Sequence, residues 1–376
     1  MTYLDHAATT QPRAEVLQAM WPYLTTEFGN AASVHERGHA AAHAIERARF
    51  VIAELTGFQP DDVIFTSGGT EADNLGIAGL ALANPRGKHI VSARTEHNAV
   101  LETLAWLERW HSFEVSWIAV DAEGRITEDA LRAALRPDTT LVTLMLVNNE
   151  IGTVHPITEL TAVAHEVGAL VHCDAVQAAG WLPLGGLGVD ALSLSGHKIG
   201  APQGVGVTCV RAALPIEPTV WGGGQQAGRR SGTENVAGSV ALATALALAE
   251  RDRLDGLPER IAELRDRLIA GVRAVAPFAQ LTGARDDRAA QIASFVFSDV
   301  NGEAVLLGLE ERGVVCSSGS ACAAGSTDPS HVLTAIGLPE ALAHTAVRFS
   351  LGRDTTADEI DRAVTALEHT LKAFRG

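Results

Sequence analysis

The chain alternates between two hydrophobic rhythms. Short apolar runs at 63–66, 89–92, 114–119, 141–147, 170–173, 191–194 and 205–210 have the length of buried strands. Between most of them lie longer stretches with apolar residues every three or four positions, the period of a helix packed on one face. This alternation predicts an α/β fold, a mostly parallel seven-stranded sheet with helices on both faces. Ahead of it, residues 11–57 read as two helices. Pro12 suits a first helical position, and an alanine-rich stretch over 35–55 is stopped by Gly57. After it come helical patterns at roughly 233–251 and 257–275. Then the character changes: 294–297 and 346–351 read as strands, 302–312 and 357–374 as helices. We expect a large domain over 13–255 and a smaller α+β domain built from 1–12 and 256–376.

Charge narrows the partners. A formal net charge of −16 leaves no clustered basic face for phosphates, so neither nucleic acid nor an anionic membrane is expected as a direct partner. The apolar run 236–249 is bounded by Glu234 and Glu250 and is too short to span a bilayer; it predicts a buried helix. The amino terminus shows neither the basic nor the apolar region of a secretory signal. Cys173, Cys209, Cys316 and Cys322 form no C-x-x-C pair, which argues against structural zinc or a disulfide framework and for a reducing, cytoplasmic setting.

Candidate chemistry gathers at strand ends. Lys198 follows the run 191–194, and Asp174 ends the run at 170–173. A lysine and an acid at neighbouring strand ends match what pyridoxal phosphate needs: a covalent amine partner and a carboxylate for the protonated ring nitrogen. Taken singly, Lys198 also reads as a solvated lysine and Asp174 as a helix cap. Ser67-Gly68-Gly69-Thr70 joins a strand to a helix start, where backbone N–H groups favour an anion. It also reads as an ordinary capped helix start, and it matches no dinucleotide or P-loop pattern. His97 follows the strand at 89–92 and suits stacking on an aromatic ring and proton transfer. Asn149 ends another strand; Gln177, Ser195 and His197 supply further polar groups. Six strand ends with polar groups concentrate into one expected site.

With these residues in view, the chain resembles the cysteine desulfurases, in the class V aminotransferase branch of the fold-type I pyridoxal-phosphate enzymes. The resemblance runs from Tyr3-Leu4-Asp5-His6-Ala7-Ala8-Thr9-Thr10 to Val347-Arg348-Phe349-Ser350-Leu351-Gly352-Arg353. Its most specific pieces are Ser195-Gly196-His197-Lys198, Asp174-Ala175-Val176-Gln177, Arg230-Ser231-Gly232-Thr233 and Ser317-Ser318-Gly319-Ser320-Ala321-Cys322. The last looks like the branch with a long catalytic loop. The resemblance implies that Lys198 binds the cofactor covalently, Asp174 pairs with its ring nitrogen, Gln177 contacts its ring oxygen and His97 stacks on it. It implies Gly69, Thr70, Ser195 and His197 for the phosphate, with Thr233 reaching the phosphate of the partner in a homodimer. Asn149 and Arg348 match positions that hold the substrate, and a guanidinium fork suits a carboxylate. Gln225-Gln226 stands where the family usually shows Gln-Glu, Ala31-Ala32 where Pro-Ser is common, and Gln203 where lysine is common.

The implied reaction removes sulfur from L-cysteine, giving L-alanine and a persulfide on Cys322 that passes to an acceptor. The expected acceptors are an iron–sulfur scaffold or a thiolation enzyme. Cys322 stands among small residues that bury little apolar area, so an exposed loop is expected, with His97 as a candidate base for the thiol. Selenocysteine lyase and aminotransferase activities share the same anchor residues. A sulfur-relay platform acting through partner complexes is a reading of a different class.

Overall fold

The computed structural model describes residues 1–84, 86–298, 300–319 and 329–374. Cys322 lies outside the described residues; of the loop expected around it only residues 317–319 are described. The described strands are β1 (Thr2–Tyr3), β2 (Val63–Thr66), β3 (His89–Ala93), β4 (Glu114–Ile118), β5 (Thr139–Met145), β6 (Leu170–Asp174), β7 (Ala191–Ser195), β8 (Gly206–Val210), β9 (Ala279–Leu281), β10 (Ile292–Phe297), β11 (Val314–Val315) and β12 (Val347–Ser350). The helices are α1 (Ala14–Leu24), α2 (Glu36–Thr56), α3 (Gly69–Ala83), α4 (Asn98–His111), α5 (Glu128–Ala134), α6 (Ile157–Glu166), α7 (Val236–Leu254), α8 (Leu257–Val275), α9 (Gly302–Glu311), α10 (His331–Ala335), α11 (Glu340–Ala343) and α12 (Ala357–Ala373).

The seven-stranded sheet runs β2-β8-β7-β6-β5-β3-β4. β3 to β7 are mutually parallel, and β8 is antiparallel to both neighbours. Alternation along the strands sorts two cores. Val63, Phe65, Val142, Leu144, Val171, Cys173, Leu192 and Leu194 face one side, against Ile45 and Ile52 of α2 and Leu242 and Leu246 of α7. Ile64, Ile90, Leu141, Ala191 and Val210 face the other, against Leu75, Leu80, Leu104 and Leu107 of α3 and α4. The second face turns polar toward the strand ends: Thr143, His172, Asp174, Ser193 and Ser195 follow Leu141 and Ala191 at even spacing. The site opens where α3 begins, over that polar patch.

β12-β10-β9 form an antiparallel sheet covered by α8 and α9, on which α12 packs. Phe295, Phe297, Phe349, Leu268 and Leu367 fill its core together with Leu4 from the amino terminus. The chain start is tied in by β1 pairing parallel with β11. One expectation needs correction. Pro12 does not begin α1: Arg13 is the cap residue, its N–H held by the Gly200 carbonyl, and the helix starts at Ala14 with Pro22 inside it. The run 236–249 is a buried helix, as its pattern predicts. Among the described residues, no helix is long and apolar enough to cross a membrane.

Candidate active site

A cavity of about 350 Å³ lies at the strand ends, lined by Gly69, Thr70, His97, Asn149, Asp174, Gln177, Ser195, His197, Lys198 and Arg348. Lys198 stands in a short turn directly after β7. Its Nζ donates to the carbonyls of Ala7 at 2.6 Å and Ala8 at 2.7 Å. Gln177 Nε2 donates to the same Ala7 carbonyl at 2.9 Å. The amino-terminal segment therefore supplies backbone acceptors to the site. His197 turns Nδ1 to Thr9 Oγ1 at 3.1 Å, and burial together with the Lys198 charge lowers its ring to about 4, so it is neutral near pH 7.

Asp174 ends β6 and is 6% exposed. Its Oδ1 accepts from Val176 N at 2.9 Å, which fixes the carboxyl plane. Two more carboxyls lie buried nearby, Asp73 of α3 and Glu96. Burial pushes both well above the usual carboxylate range, and the Asp174 charge adds to the effect. Burial also raises Asp174, but the His97 and Lys198 charges pull it back. Three buried carboxyls cannot all be charged, and Asp174 is the one faced by cations. Beneath them His172 bridges Thr143 Oγ1 and Ser193 Oγ, each at 2.9 Å, and burial lowers this ring to about 3.

His97 caps α4: its Nδ1 accepts from Ala99 N at 3.1 Å. That bond uses Nδ1 for the cap and leaves Nε2 for other contacts. Arg348 in β12 is 2% exposed. It donates through Nη1 to the Asn149 carbonyl at 2.7 Å and pairs through Nη2 with Asp5 Oδ1 at 2.8 Å. Its Nε and the Asn149 Oδ1 are buried with no hydrogen-bond partner among the described residues.

Three features fit a phosphorylated pyridine. A Cβ on Gly69 would meet Val176 Cγ2 at 3.1 Å and Ser195 Cβ at 3.3 Å, so glycine keeps the anion cradle open. Two buried polar atoms, on Asn149 and Arg348, are left for a ligand. The donor set joins a helix start and Thr70 at one end of the cavity to a carboxylate in its wall.

Of the expected residues, Thr233 is exposed and does not line the cavity of its own chain. Sequence reasoning missed Asp73, Met145 and Val176 in the lining, the two backbone carbonyls at Ala7 and Ala8, and Asp5 behind Arg348. Asp73 had a signal: it is an acid one turn beyond Thr70, just ahead of the apolar run 75–83 of α3. The carbonyls had none, because backbone acceptors leave no trace in residue type.

A parallel sheet that brings a lysine, a carboxylate and an anion cradle to its strand ends is the framework of fold-type I pyridoxal-phosphate enzymes. The chain belongs to the class-V aminotransferase family, matched over residues 2–363, and within it to the cysteine desulfurases. It is 44% identical to the cysteine desulfurase IscS of Dictyoglomus turgidum, over 99% of this chain and 95% of that one. It is 46% identical to a cysteine desulfurase of Cereibacter sphaeroides, over 99% and 96%. Among solved structures, a NifS-like protein superposes with TM-score 0.92 at 33% identity, covering 99% of each chain. DndA from Streptomyces lividans superposes with TM-score 0.79 at 39% identity, covering 93% of this chain and 99% of that one.

Proposed function

We propose that the protein is a pyridoxal-phosphate-dependent cysteine desulfurase that takes sulfur from L-cysteine, releases L-alanine and holds the sulfur as a persulfide on Cys322. The observation that carries this reading is one cavity shared by a strand-end lysine, a buried strand-end aspartate and a buried arginine with an unpaired Nε. Lys198 would hold the cofactor, Asp174 would pair with its ring nitrogen, Gln177 with its ring oxygen, and His97 would stack on the ring. Gly69, Thr70, Ser195 and His197 would take the phosphate. When bound, the cofactor supplies an electron sink for charge developing at the substrate α-carbon.

The chain's own groups do the rest. Arg348 and Asn149 bind the substrate amino acid, the guanidinium taking its carboxylate. Lys198 Nζ, as a free neutral amine, would take the α-proton, and the Ala7 and Ala8 carbonyls would stabilise the ammonium that results. The Cys322 thiolate attacks the substrate sulfur; an S–S bond forms as the C–S bond breaks. The carbon skeleton gains a proton in place of the sulfur and leaves as alanine. The persulfide then passes to an acceptor thiol, on an iron–sulfur scaffold or a thiolation enzyme.

Thr233 would serve the phosphate of the partner in a homodimer. Exposed Trp21, Leu24, Phe28 and Phe50 offer apolar surface for such a partner. Residues 13–255 would act as the large domain, and 1–12 with 256–376 as the small one. Cysteine usage favours a cytoplasmic enzyme.

A pair of variants tests the reading. Cys322→Ala is expected to keep the visible absorbance of the bound cofactor and lose alanine formation from cysteine. Lys198→Ala is expected to lose that absorbance. Alanine formed at the normal rate by Cys322→Ala would overturn the assignment.

A further inference from the structure

The strand–turn–helix that builds the anion cradle also fastens the segment that carries Thr233. That segment is closed on itself: Ser231 N donates to the Val220 carbonyl at 3.1 Å, and Gly232 N donates to Gln225 Oε1 at 2.8 Å. Two side chains then tie it to the cradle. Gln226 is buried, with φ at 50° in the left-handed region. Its Oε1 accepts from Phe65 N of β2 at 2.9 Å and from Arg49 Nη2 at 2.7 Å. Arg230 forks onto Glu71 in the first turn of α3, Nε to Oε1 at 2.7 Å and Nη2 to Oε2 at 3.2 Å. Glu71 Oε2 also accepts from Ser67 N at 2.8 Å, so this carboxylate braces the cradle turn.

The charges matter more than the tether. A carboxylate in a first helical turn is favourable alone, but beside a bound phosphate it repels. The Arg230 fork cancels that charge. Burial alone would raise the Glu71 carboxyl, yet the hydrogen bonds from Arg230 and Ser67 bring it below its ordinary value. The pair is largely sheltered, with the two side chains 20% and 15% exposed. The same guanidinium fixes the backbone three residues ahead of Thr233.

We propose that Arg230 is a positioning residue for two cofactor sites at once. It neutralises Glu71 beside the phosphate cradle of its own chain, and it sets Thr233 against the phosphate held by the partner subunit. The second half rests on the homodimer reading of Thr233 given above.

Mixed holoenzyme dimers, one wild-type protomer with one altered and differently tagged protomer, test it. Release of pyridoxal phosphate into a scavenger is followed by loss of visible absorbance, which counts fast and slow sites. Arg230→Gln in one protomer is expected to speed release from both sites, roughly tenfold, the size of an ordinary coupling between contacting groups. Adding Glu71→Gln to the same protomer is expected to return one site to the wild-type rate and leave the other fast. A general folding defect confined to the altered chain would speed one site only. Acceleration of one site or none by Arg230→Gln overturns the proposal. Thr233→Ala in one protomer reads the underlying assignment separately and is expected to speed one site. If it speeds neither, Thr233 does not serve the phosphate and the cross-subunit half falls, while the Glu71 half still stands or falls on whether the double variant slows a site.

Discussion

Asp5 and Arg348 are 343 residues apart in the chain and 2.8 Å apart in the fold. Asp5 is the one carboxylate in contact with this buried guanidinium among the described residues. The pair holds the arginine against the Asn149 turn, with its buried Nε left without a hydrogen-bond partner among the described residues. Removing one partner of a buried pair leaves an uncompensated charge, at a cost of roughly 3–5 kcal/mol when both are fully buried. Asp5 is 17% exposed, so Asp5→Asn is expected to lose less, about 2 kcal/mol of unfolding free energy. The KM for cysteine is expected to rise more than kcat falls, because the arginine is misaimed rather than removed. Denaturant unfolding and steady-state kinetics check both. Unchanged stability would mean that the pair does not hold in solution.

Gly69→Ala separates fold from ligand. The residue opens α3, where alanine is the better helix former, so propensity offsets part of any packing strain and the apoenzyme is expected to lose no more than about 2 kcal/mol of unfolding free energy. The added Cβ would crowd Val176 and Ser195 in the cradle. Relief of that contact would displace Ser195 and the turn that holds the anion, which predicts a cofactor dissociation constant at least about fivefold higher, about 1 kcal/mol. Equilibrium reconstitution of the apoenzyme reads it; wild-type affinity would remove the cradle from this position.

His97 has two jobs that substitution can split. Its ring faces the cavity, and its Nδ1 caps α4. Asparagine is a good cap residue and alanine is not, a difference of about 1 kcal/mol. His97→Asn is therefore expected to keep wild-type stability and His97→Ala to lose about that amount. Both are expected to lose most of their alanine formation, since neither carries a ring. Full activity in His97→Asn would show that the cap alone matters.

His155 gives the pH dependence a sign. It is buried, neither ring nitrogen has a hydrogen-bond partner among the described residues, and burial lowers it from 6.5 to about 4. Between those values the unfolded chain binds a proton that the folded chain does not. Titration therefore costs the fold nothing above about pH 6.5, and the penalty grows as pH falls toward 4. His155→Leu is expected to stabilise the protein by about 1 kcal/mol at pH 7, by removing an unsatisfied buried group. The gain is expected to widen to roughly 3 kcal/mol near pH 4.5. Denaturant midpoints across that range check it; a gain that shrinks on acidification contradicts the neutral buried ring.

Much of the fold was legible because strand burial writes itself as unbroken apolar runs. The run at 63–66 coincides with β2, and 191–194 falls one residue short of β7. β1, β9 and β11 left no such run: they are two or three residues long, and β1 and β11 take their places from each other across the chain. The helix start was misjudged at Pro12 because its geometry is decided by a tertiary contact, Arg13 N with Gly200. Lys198, Asp174 and Gly69 were readable as strand-end and turn residues. Asp5 was not, since an acid near a chain start looks like any solvated acid until Arg348 is folded against it.

The lysine at the centre of the site is held by carbonyls of residues 7 and 8, and the arginine opposite comes from β12. The cavity therefore joins residues more than 300 positions apart in the sequence. A ribosome making this chain has exposed every large-sheet strand long before Arg348 leaves the exit tunnel. The large sheet can pack early, but a complete site exists only once β12 has been made and has folded back on residues 7 and 8. Capture of the cofactor by the finished site is then a step of maturation, and a truncated product can be well packed around its sheet yet permanently colourless.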